Sequence, residues 1–131
     1  MLGIDTNVLV RFLVRDDERQ FGKAQKLIAR ERARGEPVFV SHLVLLEAEW
    51  VLRSRYAIAK SDILRVFSGL LDSMELRIED ESSVEQALFL WKDSGADFAD
   101  CLIACRHVAL GCRATASFDA RARRLPGFVP V

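Results

Sequence analysis

The chain has 131 residues, half of them hydrophobic and 29% charged, with 19 basic and 19 acidic side chains. That is enough chain to bury a core and is ordinary soluble composition, while a net charge of zero gives no overall steer toward nucleic acid. The longest uninterrupted apolar runs, residues 87–91 and 101–105, hold five residues each, against the ~20 needed to cross a bilayer. Asp5 and Arg11 interrupt the only apolar N-terminal stretch, so no signal peptide is read and a cytoplasmic protein with no membrane partner is expected.

In chain order, residues 1–4 (Met-Leu-Gly-Ile) read as a short buried strand. Residues 8–13 then form a buried helix, for which Asp5 and Thr6 are candidate N-caps. Asp16 and Asp17 cap a second helix that runs to about Arg34, with Gly35 as its stop. Its apolar residues Phe21, Ala24, Leu27 and Ile28 recur at helical spacing. Residues 37–40 are a strand, and Ser41 starts a helix to about Arg55. Ser61 and Asp62 open another helix, to about Met74, and residues 76–78 are a weaker strand. A helix from Ser82 to about Asp93 follows. Asp97 begins a further helix ending at Gly111. Residues 112–117 are a strand, a short helix reaches Arg124, and residues 128–131 are a last extended piece. Strands alternating with helices predict an α/β fold, with a parallel sheet covered by helices on both faces. No linker or repeat divides the chain, so one domain over residues 1–131 is expected. Ligands of such open sheets bind beyond the carboxyl ends of the strands.

Acids stand at those ends. Asp5 follows the first strand, and Asp119 follows the strand that ends near Ser117. Each alone reads as a cap or turn residue, but an acid after each of two strands suggests a charged rim, which needs a compensating cation. Glu47 has Leu43, Val44, Trp50 and Val51 as its helical neighbours, which predicts that it projects from the buried face. A buried carboxylate must be paired or metal-bound. Glu49 has Arg53 four residues on, the order of an exposed pair. Asp97 and Asp100 open their helix three residues apart. Asp97 suits a cap, and Asp100, inside the first turn, suits a site. A cluster of Asp5, Glu47, Asp100 and Asp119 would be hard and oxygen-only, matching Mg²⁺ or Mn²⁺ rather than zinc.

The charges are unevenly spread. Residues 75–100 hold eight acids and two bases, and residues 101–131 hold five arginines and one acid. A second basic stretch holds Arg19, Lys23, Lys26, Arg30, Arg32 and Arg34. A solvated helix face is the ordinary reading of either patch, although separated patches can hold phosphates on a neutral protein. Three cysteines argue against a disulfide framework. Cys101 and Cys105, four apart on one helix, read as small buried thiols rather than zinc ligands.

Four segments together resemble PIN-domain proteins of the VapC toxin group. They are Gly3–Arg11, Leu45–Leu52, Asp97–Ala104 and Ser117–Asp119. The resemblance implies a PIN-like three-layer α/β/α sandwich with a short central parallel sheet. It implies a Mg²⁺-dependent endoribonuclease (Mn²⁺ substituting) that hydrolyses RNA phosphodiesters, as a homodimer held inactive by a cognate VapB-like antitoxin. Asp5, Glu47, Asp100 and Asp119 would be the catalytic acids, with Asp5 and Asp100 the main metal ligands. Asn7, Asp97 and Ser117 would support them, Ser117 standing where the family usually has Thr. Arg11, Arg121, Arg123 and Arg124 are candidates to hold RNA phosphates. Two alternatives stay open. A haloacid-dehalogenase-like phosphohydrolase also has an acid after its first strand, but wants another two residues on, where this chain has Asn7. A non-catalytic RNA- or protein-binding module of the same fold would have no need of all four acids.

Overall fold

The first helix, α1 (Thr6–Leu13), starts at a working cap: the Asp5 carboxylate accepts the Val8 N–H at 3.0 Å. This satisfies one of the donors that every helix N-terminus leaves unpaired. In the computed structural model, which describes all residues 1–131, the backbone falls into two units, Met1–Glu79 and Asp80–Val131.

In the first unit, α2 (Glu18–Ala33) is capped by Asp17, whose carboxylate accepts the Gln20 N–H at 3.0 Å. Beyond it Gly35 takes φ +82°, the left-handed conformation that glycine adopts without strain. Strand β1 (Val38–Val40) pairs in parallel with β2 (Leu76–Ile78), with Val38 opposite Leu76 and Val40 opposite Ile78. Between them lie α3 (His42–Ser54), capped by Ser41 Oγ, and α4 (Lys60–Asp72). The outer residues of both strands are buried, as is Leu9 of α1, which is fully enclosed. Each such side chain contributes roughly 1.5–3 kcal/mol on burial.

In the second unit, α5 (Glu81–Asp93) packs against α6 (Phe98–Ala109), with Trp91 and Phe98 in ring contact at 5.2 Å. Strand β3 (Thr115–Ser117) pairs in parallel with β4 (Phe128–Pro130), joined by one 3₁₀ turn, Ala122–Arg124. Parallel strands alternating with helices make the chain α/β, as expected. The hydrogen bonding takes the form of two separate two-stranded parallel pairs.

Several expected boundaries move, each for a local reason. The strand expected over residues 1–4 is reduced to a single parallel bridge, Gly3 to Phe39. Asp62 does not cap α4, which begins at Lys60 after Ala59. The Asp62 carboxylate instead pairs with Arg65 at 2.6 Å. Helix α5 starts earlier than Ser82 because Asp80, at φ +42°, caps it through the Ser83 N–H and also binds Arg106 at 2.9 Å. Strand β3 is shorter than residues 112–117. The Cys112 N–H still closes the end of α6 on the His107 carbonyl, and the chain turns through Gly111 at φ +90°. Cys101 and Cys105 are buried thiols, as read from the sequence.

Candidate active site

Asp5 leaves the bridge at Gly3 and caps α1 with one carboxylate oxygen. The residue as a whole remains exposed, so its charge is accessible. Capping is therefore one role of Asp5, and it leaves an oxygen over for other work.

Helix α3 reverses the expectation for its two glutamates. Glu47 is exposed, and Glu49 is buried, only 4% accessible. The buried stripe runs His42, Leu45, Ala48, Glu49 and Leu52. Leu43 and Trp50, the apolar helical neighbours of Glu47, lie in the open at 78% and 50% exposure. Glu49 tolerates burial because the Arg53 Nε–H donates to both of its oxygens, at 3.2 and 3.1 Å. The apolar setting of Glu47 in sequence is thus no argument for a buried carboxylate.

Glu47 instead lines a cleft of about 340 Å³ formed by α1, α3 and the turn after α3. Asn7, Arg11, Trp50, Arg55 and Tyr56 share its walls. The Asn7 side chain forms no hydrogen bond to Asp5, whose capping oxygen accepts from Val8 instead. Arg11 is not a free cation: its guanidinium donates to both oxygens of Asp16, at 3.0 and 3.1 Å, and to the Tyr56 hydroxyl at 3.1 Å. The Tyr56 O–H in turn donates to Asp16 at 2.9 Å. That bond, with the help of Arg11, holds the Asp16 carboxyl below its usual range; the same bond pushes the Tyr56 hydroxyl up, against the opposing effect of Arg11. Residues 40 and 45 apart in sequence make this network, and no short-range pattern signals it. Tyr56 and Arg55 are the cleft residues that the sequence did not single out.

The second unit gathers acids. Asp97 occupies the N-cap position of α6, yet its side chain makes no capping hydrogen bond, which removes the cap as its explanation. Asp119 sits in a tight turn after β3. The Ser117 hydroxyl accepts the Asp119 N–H at 3.0 Å, and an Asp119 oxygen accepts the Arg121 N–H at 2.8 Å. Asp100 feels both neighbouring acids. Burial first, and then the charges of Asp97 and Asp119, hold its carboxyl above the usual range, with Arg121 opposing them. Carboxylates held near one another against their mutual repulsion are a fitting surrounding for a cation.

The donor chemistry suits a hard divalent ion, since all the available ligands are carboxylate oxygens. Neither unit by itself draws three such side chains together into a closed cage. The exposed Arg121, Arg123 and Arg124 follow Asp119 directly.

Comparison with known proteins adds to this geometry. Across 128 residues, 98% of this chain and 93% of the relative, the sequence is 27% identical to a protein of Aquifex aeolicus (strain VF5) named VapC ribonuclease. The family model described as PIN domain matches residues 3–127, running through both units and all four acidic segments. With nearly the whole length matched, the chain belongs to the PIN domain family.

Proposed function

We propose that this protein is a metal-dependent endoribonuclease, the toxin of a toxin–antitoxin pair, acting as one domain over residues 1–131. The observation that carries the reading is the set of acids in the second unit. Asp97 is free of its capping role, and Asp100 is held above its ordinary range beside Asp97 and Asp119. The similarity to a protein named VapC ribonuclease supports RNA as the substrate.

Asp100 and Asp5 are assigned as the principal ligands of Mg²⁺, or of Mn²⁺ in its place, with Glu47 and Asp119 as the further catalytic acids. When bound, the ion would supply charge neutralisation at the phosphate and lower the pKa of a water. Asp97 adds negative charge beside Asp100. Ser117 fixes the turn that presents Asp119, through the hydrogen bond to its backbone. Arg121, Arg123 and Arg124 are exposed and placed to hold the polyanionic strand. Arg11, tied to Asp16 and Tyr56, serves the architecture of the cleft rather than binding RNA freely.

A VapB-like antitoxin and a second copy of the chain are the proposed protein partners. Exposed large apolar side chains on helices, Leu43 and Phe89 at 78% and 75%, support protein contacts of this kind. No helix is long and apolar enough to cross a membrane, and the cytoplasm is the proposed compartment.

The test is cleavage of single-stranded RNA by the purified protein. Activity is expected with Mg²⁺, lost in EDTA, restored by Mg²⁺ or Mn²⁺, and absent in Asp100→Asn. Activity undiminished in EDTA, or full activity in Asp100→Asn, would overturn the metal-site reading. Light scattering checks the dimer.

A further inference from the structure

Trp50 is half exposed on α3, in a position that costs hydrophobic free energy unless something covers it. It forms one wall of the cleft that also holds Asn7 and Glu47. The guanidinium carbon of Arg55 lies over the Trp50 ring at 6.0 Å from its centroid. That is the outer limit of a cation–π contact. The exposed Trp50 ring and the Arg55 guanidinium thus stand together in the lining of the cleft, two groups on which a nucleobase can stack.

The charges agree. Arg11, the other cation of the cleft, is committed to Asp16 and Tyr56. Arg55 forms no ion pair and is exposed, leaving it free for a phosphate or for the face of a base. Asn7 offers an uncommitted amide with two donors and an acceptor, suited to the edge of a base. A volume of about 340 Å³ is at the small end of ligand sites, roughly 300–1,000 Å³, and suits one nucleotide rather than a length of strand.

From this juxtaposition we propose that the cleft between α1 and α3 is a subsite for a single nucleotide of the substrate strand. Its base stacks on Trp50 beneath Arg55, and its edge faces Asn7. The proposal rests on the ribonuclease reading for its biological sense, and it assigns Trp50 and Arg55 to substrate positioning. Because the recognition is mainly stacking, and every base has a π-face, all four nucleotides should bind.

Nucleoside 5′-monophosphates have no internucleotide bond to cut, so they probe the subsite in the presence of Mg²⁺. The chain has two tryptophans, Trp50 and the buried Trp91, so its two indole N–H signals in a ¹⁵N-correlated NMR spectrum are assigned by the single variant Trp50→Phe. Titration with AMP, GMP, CMP and UMP into the millimolar range is expected to move the Trp50 signal with each nucleotide. Trp91 should stay in place, and Arg55→Ala should weaken the response. In RNA cleavage, Trp50→Ala is expected to raise KM by about 5- to 150-fold, the range of a lost base–aromatic stack. No movement of Trp50 with any nucleotide would overturn the proposal. So would an unchanged response in Arg55→Ala, or a Trp50 signal that depends only on protein concentration, which would mark a second copy as the occupant. RNA cleavage with an unresponsive Trp50 refutes the subsite and leaves the ribonuclease reading intact. A responsive Trp50 in a protein that cuts no RNA refutes the ribonuclease reading instead.

Discussion

Asp5 has two roles that can be separated by substitution. Its carboxylate accepts the Val8 N–H at 3.0 Å and caps α1, and under the proposed function it also binds a metal ion. Asp5→Ala removes both roles, whereas Asp5→Asn keeps a capping oxygen and removes the charge. Loss of the cap costs about 1 kcal/mol, with a range of roughly 0.5–2. Loss of a negative charge at an exposed helix N-terminus costs a further ~0.3–1 kcal/mol at low ionic strength, and salt screens this part. The helix itself should survive either change, since Leu9 and Val10 remain buried. Metal-free urea unfolding in moderate salt should therefore place Asp5→Ala about 1 kcal/mol below the wild type. Asp5→Asn should lie within about 0.5 kcal/mol of it, because Asn caps about as well as Asp. RNA cleavage in Mg²⁺ should divide the variants differently, with both inactive. An Asp5→Asn protein that cuts RNA at the wild-type rate would show that the cap is the whole role of this residue. Equal stability of the two variants would show that the Val8 hydrogen bond does not stabilise α1.

Three further outcomes follow from the same structure. The folded-state carboxyl of Asp100 lies above its unfolded value of about 3.8, so between the two values the native protein binds more protons than the unfolded chain. Metal-free stability is then highest at acid pH with respect to this group, and falls as pH rises through the raised value. Asp100→Asn should remove that decline and be at least as stable as the wild type at pH 7, as urea unfolding across pH will read. The Glu49–Arg53 pair is asymmetric, 5% and 49% exposed at the side chains. Arg53→Ala should cost about 2–3 kcal/mol by stranding a buried acid, less than a fully buried pair loses, whereas Glu49→Met should be close to neutral; the ranking of urea midpoints decides it. Leu9→Ala, at a fully enclosed site in α1, should cost about 2–5 kcal/mol, and a smaller loss in the same assay would mean that the cavity collapses.

What the sequence determined by itself is what short-range physics controls. Asp17 before α2, Ser41 before α3 and Asp5 before α1 were legible as caps because a cap acts on an N–H only three residues away. The alternation of strand and helix, and the acids placed just after strand ends, were legible for the same reason. What only the tertiary structure decided is which side of each element faces inward. Helix α3 carries apolar residues on several sides, so periodicity could not tell the stripe holding Glu47 from the one holding Glu49. Packing placed Glu49 inside with Arg53 across its mouth, and left Leu43 and Trp50 outside. The Arg11–Asp16–Tyr56 network and the contact between Trp50 and Arg55 were beyond reach for a related reason. The first joins segments 40 and 45 residues apart, and the second depends on the direction in which an arginine leaves the end of a helix. Neither leaves a period in the sequence, because both are fixed by long-range packing and not by the local chain.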